Sequence, residues 1–226
     1  MTQNPPPPSP GDAPRIHLRL LGISDLHAHL RGHDYDTGRA LPAAGLTRLA
    51  TLIRAARAEA ANCLLFDNGD TLQGTALGDW AAAGEGGGAP HPMIDALNRL
   101  GVDAAVPGNH DFNYGLPFLQ AAAAAAAYPL VCANVATRQG TAPQEDETLL
   151  PPWTLLERDL ADSTGRIRRL RIGVTGAVPP QIMDWDRRIL AGREPTRRPS
   201  TGRRRAGRPR PSRSPRSARA PGTSCM

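Results

Sequence analysis

Short apolar runs alternate along the chain with longer segments whose apolar residues recur every three or four positions. The short runs have the length and composition of buried strands, and the longer segments have the spacing of amphipathic helices. Strands are predicted at 16–23, 63–66, 103–106, 130–135, 153–160 and 170–178. Helices are predicted at 45–61, 91–100 and 119–127. Because strands and helices alternate, the pattern indicates an α/β fold with a largely parallel sheet.

The connecting segments carry the usual signals of loops and turns. Loops are predicted at 30–42, 84–90 and 136–151, and a turn at 163–165. Gly101 follows the second predicted helix, where a glycine suits the C-terminal cap. In open parallel sheets the ligand site lies beyond the carboxyl ends of the strands. The residues that follow each strand are therefore the first candidates for chemistry.

Both ends of the chain differ from the body between them. Residues 1–14 are rich in proline and are predicted to form a disordered leader, whereas residues 15–192 hold the whole strand and helix pattern. Residues 193–226 contain no Leu, Ile, Val, Phe, Tyr or Trp. Such a segment cannot bury enough apolar surface to offset its ordering entropy, so this tail is also predicted to be disordered.

The net charge of +6 is unevenly distributed along the chain. The tail 193–226 holds 11 of the 27 basic residues and a single acidic residue, Glu194, so the remainder of the chain carries a net charge of −4. A basic tail attracts nucleic-acid phosphates without regard to sequence. No aromatic residue lies among its arginines to stack on bases, so no specific nucleic-acid partner is predicted.

The cysteines and the apolar runs bear on the cellular compartment. The three cysteines are Cys63, Cys132 and Cys225, and two of them lie in apolar runs, which favours buried thiols over a disulfide framework. No apolar run is long enough for a transmembrane helix, so no membrane partner is predicted. Residues 1–14 lack the basic and apolar regions of a signal peptide, which by itself favours the cytoplasm.

Three of the predicted strands end in residues that commonly bind metal ions. Asp25 and His27 follow the first strand, Asp70 follows the second, and Asn109 and His110 follow the third. Carboxylate and amide oxygens with imidazole nitrogens suit Mn²⁺, Mg²⁺, Co²⁺ or Zn²⁺, and one carboxylate can bridge two cations. Each cluster alone is a weak signal. The three clusters together, each at a strand end, predict a metal site.

These motifs, D-x-H, G-D and G-N-H-D, resemble the front motifs of the calcineurin-like metallophosphoesterases. Longer segments are similar to the 5'-nucleotidase family and, within it, to the branch of 2',3'-cyclic-nucleotide 2'-phosphodiesterase/3'-nucleotidases. They read ISDLHAH, LLFDNGDTLQGTALGD, GNHDFNYGLPFL and VTGAVPPQIMDWD. The resemblance runs from about residue 15 to residue 192. It implies a layered αββα sandwich, here incomplete on the C-terminal side.

The resemblance also implies roles for individual residues. Asp25 and His27 would ligate the first of two divalent metal ions, Asp70 would bridge both ions, and Asn109 would ligate the second. His110 would be the catalytic histidine, as transition-state stabiliser and general acid. The implied substrates are 2',3'-cyclic nucleotides and nucleoside 3'-phosphates, and the implied location is periplasmic.

Two further positions depend on the same resemblance. In the 5'-nucleotidase branch an Asp stands at the position of Asn113 and pairs with the catalytic histidine, so the partner of His110 is left open. His17, His29, His33 and His91 match no ligand position of the family, and they are predicted to be solvated or packed side chains.

Part of the family pattern is missing from the sequence. The family supplies three more histidine ligands from later in its domain, and no histidine follows His110 in this chain. The change of composition near Arg193 is abrupt, which leads us to expect a truncation by frameshift that impairs activity. Three interpretations stay open: a phosphoesterase, an inactive fragment that binds a metal or a partner, and a nucleic-acid-binding protein acting through the tail.

Overall fold

A computed structural model describes residues 13–190. The predicted tail, and all but the last two residues of the predicted leader, lie outside the described residues. The strands are β1 (Arg19–Ile23), β2 (Cys63–Asp67), β3 (Ala104–Ala105), β4 (Ala136–Arg138), β5 (Glu147–Thr148), β6 (Trp153–Ala161) and β7 (Ile167–Thr175). The helices are α1 (Leu46–Ala58), α2 (Ala76–Ala82), α3 (Pro92–Leu100), α4 (Leu116–Ala125), α5 (Ile182–Trp185) and α6 (Arg187–Leu190). Short 3-10 turns lie at His110–Phe112 and Pro143–Glu145.

A parallel sheet of three strands, in the order β1-β2-β3, organises the site. In its register Ile23 lies opposite Asp67, and Asp67 lies opposite Ala105. The middle strand is β2, whose Leu64 and Leu65 are both buried, as expected for a strand covered on both faces. The last residues of the three strands therefore lie side by side, and the loops that follow them leave from one edge. The predicted α/β class with a parallel sheet is confirmed.

The helices bury apolar faces in one core with the strands. Each fully buried aliphatic side chain of this kind contributes about 1.5–3 kcal/mol. The apolar residues buried by α1, α3 and α4 are Leu46, Ala50, Ile53, Met93, Ile94, Leu97, Leu100, Leu116, Leu119 and Ala122. The third helix ends at Gly101, whose φ of 71° is left-handed, so the predicted glycine cap is confirmed.

The last two predicted strands form an antiparallel hairpin, β6–β7, as a separate two-stranded sheet. Two hydrogen bonds of Asn62 hold the hairpin beside the parallel sheet. Its Nδ2 donates to the carbonyl of Ala161, and its Oδ1 accepts from the N–H of Ala161. The side chain of Arg158 also pairs with Asp103 at 2.7 Å. The predicted turn is confirmed: Asp162 accepts from the backbone N–H groups of Thr164 and Arg166. The strand predicted at 170–178, however, is β7, which begins at Ile167.

Two predictions for the middle of the chain were wrong. The apolar run 130–135 is not a strand: within residues 13–190 it makes a single isolated parallel bridge, between Leu130 and Ala105. The segment 136–151 is not wholly loop, since it contains β4 and β5, which pair with each other. The short helix α2 was not predicted, because the residue it buries is Gly78 and it therefore shows no apolar stripe.

None of the helices within residues 13–190 is both long enough and apolar enough to cross a lipid bilayer.

Candidate active site

The loops that follow β1 and β2 run beside each other beyond the edge of the sheet. The backbone N–H of Asp25 donates to the carbonyl of Gly69 at 2.9 Å, and the N–H of His27 donates to the carbonyl of Asp70 at 2.8 Å. Asp25, His27 and Asp70 have φ angles of 56°, 46° and 56°. The left-handed region is unfavourable for residues other than glycine, and such strain clusters at functional sites.

This backbone course brings three predicted metal ligands together. One ligand atom from each of Asp25, His27 and Asp70 lies within 4.8 Å of the other two. Nδ1 of His27 lies 3.0 Å from the carbonyl oxygen of Gln73, and that contact assigns the ring proton to Nδ1. Nε2 then carries the lone pair and is free to bind a metal ion. This nitrogen lies 3.8 Å from Asp25 Oδ1. The donor set therefore fits a divalent cation.

The loop after β3 completes the cluster by wrapping around Asp70. The backbone N–H of His110 donates to Asp70 Oδ1 at 2.7 Å. The rings of His110 and His27 lie edge to face with their centroids 5.3 Å apart, so the predicted catalytic histidine lies beside the predicted metal ligands. Asn109 precedes His110 and is half-buried, and its role as a ligand stays a prediction.

Two glycines allow the loops to approach this closely. A Cβ atom added to Gly69 would lie 2.0 Å from the backbone nitrogen of Gly108, and one added to Gly108 would lie 2.2 Å from Asp70 Oδ1. Gly69 also has a φ of 87°. Side chains cannot be accommodated at either position without moving the backbone, so the geometry of Asp70 depends on both glycines.

Asp111 fastens the loop after β2 to the loop after β3. Its Oδ1 accepts from the backbone N–H groups of Thr71 and Leu72, and its Oδ2 accepts from those of Asp70 and Gly108. All four distances lie between 2.8 and 2.9 Å. Charge-assisted bonds of this kind are stronger than neutral ones, so this buried carboxylate holds Asp70 in place.

Asp67, the last residue of β2, holds the loop that follows this strand. Its carboxylate accepts from the N–H of Gly69 and the hydroxyl of Thr71. Burial, together with the nearby negative charges of Asp111 and Asp70, raises the pKa of Asp67 to about 6. Three carboxylates thus crowd one small region, an arrangement that a bound cation would relieve.

His110 has a polar partner that the sequence left open. Its Nδ1 lies 2.9 Å from Oδ1 of Asn113. The other end of that amide, Nδ2, donates to Oδ1 of Asp186 at 2.7 Å. Asp186 lies between α5 and α6 and is 7% exposed. A continuous chain of side-chain contacts therefore runs from a buried carboxylate to the imidazole.

The remaining histidines lie outside the cluster of Asp25, His27 and Asp70. His91 caps α3: its Nδ1 accepts from a backbone N–H of that helix, and its Nε2 lies 3.1 Å from the carbonyl of Leu72. Burial lowers the pKa of His91 to about 4, so this ring is neutral and structural. Among the described residues, the ligand cluster includes none of His17, His29 and His33.

Three residues of the site were missed from the sequence. Asp111 stands in the G-N-H-D motif, but its partners are backbone N–H groups, which leave no mark on a sequence. Asn113 was noted only as a departure from the family pattern. Asp186 lies 73 residues after Asn113, and no spacing or periodicity connects the two.

Comparisons with known proteins agree with this geometry. The family profile of the Calcineurin-like phosphoesterase matches residues 18–166. The chain is 40% identical over 185 residues to the trifunctional nucleotide phosphoesterase protein YfkN of Bacillus subtilis (strain 168), covering 80% of this chain and 12% of that protein. It is 42% identical over 183 residues to the 2',3'-cyclic-nucleotide 2'-phosphodiesterase/3'-nucleotidase of Salmonella typhimurium, covering 80% of this chain and 28% of that protein.

A solved structure gives the same result for the fold. The crystal structure of the calcineurin-like phosphoesterase YfkN from Bacillus subtilis superposes with a TM-score of 0.73 at 38% identity, covering 80% of this chain and 54% of that one. This chain thus spans less than a third of the length of the two curated relatives named above. The matches confirm the resemblance predicted from the motifs: the chain belongs to the calcineurin-like phosphoesterase family.

Proposed function

We propose that this site hydrolyses phosphate esters of nucleotides, with 2',3'-cyclic nucleotides and nucleoside 3'-phosphates as its substrates. The observation that carries the proposal is the convergence of Asp25, His27 and Asp70 within 4.8 Å, beside the ring of His110. The substrate class is supported by the relative from Salmonella typhimurium, which is named for that activity.

In this proposal the site binds two divalent cations. Asp25 and His27 would hold the first ion, Asp70 would lie between the two ions, and Asn109 would contribute its amide oxygen to the second. Oxygen-rich donor sets of this kind suit Mn²⁺, Mg²⁺ or Co²⁺, and Zn²⁺ is also compatible. When bound, divalent cations supply Lewis-acid chemistry, which lowers the pKa of an attacking water and offsets charge on phosphoryl oxygens.

His110 supplies the proton chemistry of the proposed reaction. Its backbone N–H is fixed on Asp70 and its Nδ1 on Asn113, which leaves Nε2 to act on the substrate. In the hydrolysis of a 2',3'-cyclic nucleotide, water releases one proton and forms a new bond to phosphorus while the bond from phosphorus to the ribose 2'-oxygen breaks. The departing oxygen takes up a proton, which Nε2–H of protonated His110 donates, and His110 then regains the proton that the water released.

The direct test measures hydrolysis and metal binding in the same preparations. Purified full-length chain is incubated with 2',3'-cyclic AMP or bis(p-nitrophenyl) phosphate, with and without Mn²⁺. Asp70→Asn removes the proposed bridging carboxylate, and Asp159→Asn, at an exposed position on β6, is the matched control. We expect metal-dependent turnover in the wild type and in Asp159→Asn, and a loss of at least about 100-fold in Asp70→Asn.

The second candidate function is metal binding without catalysis. It is favoured by one observation: within residues 13–190 the cluster of ligand atoms comprises Asp25, His27 and Asp70, which is a small donor set for two ions. Calorimetry separates the two candidates: Mn²⁺ binding that is lost in Asp70→Asn, with no turnover in any variant, supports the second candidate. Turnover that survives Asp70→Asn unchanged, or that does not need a metal ion, rules out the proposed site.

A further inference from the structure

We propose that Asp186 is a positioning residue for His110, and that it acts through the amide of Asn113. The inference rests on the proposed catalytic role of His110 and identifies what holds that ring in its working form. Its basis is the contact chain described above, from Asp186 Oδ1 through Asn113 to Nδ1 of His110.

The direction of this chain follows from the chemistry of a carboxylate. An ionised Asp side chain only accepts hydrogen bonds, so the Asn113 amide must turn its NH₂ group towards Asp186. Its carbonyl oxygen is then obliged to face His110. Because a carbonyl oxygen also only accepts, the nitrogen that faces it, Nδ1, must carry a proton. The carboxylate thus sets the tautomer of the neutral ring, whose lone pair on Nε2 takes up the proton that this nitrogen later donates to the substrate.

The burial of Asp186 makes this constraint rigid. The carboxyl group lies between two short helices whose apolar anchors, Ile182 and Leu190, are 1% and 3% exposed. The backbone N–H of Asp186 donates to the carbonyl of Ile182, and the N–H of Leu190 donates to the carbonyl of Asp186. Within residues 13–190 no cationic side chain forms an ion pair with Asp186, so the Asn113 amide is its polar side-chain partner there. An amide without this anchor would flip freely.

The contact between Asp186 and Asn113 explains how an amide can replace a carboxylate beside the histidine. An amide alone accepts or donates with equal ease, and it does not choose between the two tautomers of a neutral ring. A carboxylate at position 186 removes that ambiguity, because it fixes the orientation of the Asn113 amide. The amide and the carboxylate therefore act as one unit.

The first experiment reads the tautomer directly and does not depend on turnover. Full-length protein carrying ¹⁵N-labelled histidine is studied by long-range ¹H–¹⁵N correlation, metal-free and at alkaline pH where the ring is neutral. The signals of residue 110 are assigned by their loss in His110→Gln. We expect the Nδ1–H form in the wild type, a mixture in Asp186→Ala, and no change in Asp184→Ala, an exposed control in the same segment.

The second experiment guards against variants that fail to fold and detects the coupling. Asn113→Asp alone places two carboxylates in contact, so we expect it to lower both stability and turnover. Adding Asp186→Asn exchanges the two groups and rebuilds the chain, because the new amide donates to the new carboxylate, which accepts from Nδ1. The double variant is expected to recover the Nδ1–H form and to bring kcat to within about threefold of the wild type, whereas Asp186→Ala lowers kcat by about 10- to 100-fold.

The outcomes separate this inference from the proposed function. An Nε2–H tautomer in the wild type, an unchanged tautomer in Asp186→Ala, or an exchange variant no better than Asn113→Asp overturns the role of Asp186. Absence of turnover in the wild type, together with the expected tautomer changes, overturns the proposed function and leaves the positioning role intact.

Discussion

Substitution of Asp111 by Asn tests how the site is held together. In the wild type, Thr71 and Leu72 donate to one carboxylate oxygen, and Asp70 and Gly108 donate to the other. An Asn side chain has nearly the same shape but offers one accepting oxygen and one NH₂ group. Whichever way the amide turns, two backbone N–H groups lose their acceptor and face another donor.

The expected cost can be worked out from these contacts. Asp111 is 3% exposed, so the orphaned N–H groups have no access to water. Each buried unsatisfied donor costs about 1–3 kcal/mol, which gives about 2–6 kcal/mol for two. Loss of the buried charge removes its desolvation cost and its repulsion of Asp67, and this offsets part of that amount. We expect a net loss of about 3 kcal/mol, or roughly 6–12 °C in Tm for a chain of this size.

Urea unfolding followed by circular dichroism measures this loss, with Asp159→Asn as the matched control at an exposed position. The control is expected to stay within about 0.5 kcal/mol of the wild type. Because Asp111 also fixes Asp70, Mn²⁺ affinity measured under native conditions should fall in the same variant. If Asp111→Asn unfolds at the same urea concentration as the control and binds Mn²⁺ equally well, the four bonds do not hold the site and the reasoning fails.

Three further predictions concern the same loops and the core beneath them. Gly69→Ala forces a Cβ into the facing backbone at a left-handed φ, so we expect a loss of at least about 2 kcal/mol in urea unfolding, whereas Gly22→Ala, with open space around it, should be nearly neutral. Burial raises the pKa of Asp67 to about 6, so between about pH 4 and pH 6 the folded metal-free chain binds a proton that the unfolded chain has lost. The free energy of unfolding should therefore fall by about 3 kcal/mol as the pH rises from about 4 to above 6. Asp67→Asn should abolish this fall. Burial also raises the pKa of the fully buried Cys132 thiol. Maleimide labelling of the native chain, followed by mass spectrometry, should therefore modify Cys63 and spare Cys132. Equal labelling of both thiols would contradict the described core.

The central sheet could be predicted because its signal is local. The run beginning at Cys63 is apolar on both faces, and the observed strand differs from the prediction by one residue at its end. The run 130–135 carries a similar apolar signal, but whether such a run becomes a strand depends on a neighbour with free backbone groups. Its neighbour β3 is two residues long, so the pairing reduces to one bridge at Leu130. Composition alone does not contain that information.

The candidate site divides in the same way. Asp25 and Asp70 were predicted to meet because the carboxyl ends of parallel strands share an edge, and their ligand atoms do lie together. The support around them could not be predicted. Asp111 acts on backbone N–H groups, and Asp186 reaches the site from 73 residues further along the chain than its partner. Residue types at strand ends reveal candidate ligands, but they do not reveal what holds those ligands in position.

That support is what makes the site a property of the folded chain before any ion arrives. Three of the predicted functional residues adopt left-handed backbone angles, and each such residue costs about 1–2 kcal/mol. A loop free to relax would give up that geometry, so something else must offset the strain. The four bonds to Asp111 and the parallel hydrogen bonds between the first two loops are of the right size to do so. At the proposed site a cation would meet ligands that are already assembled, and the free energy of its binding would not be spent on ordering the loops.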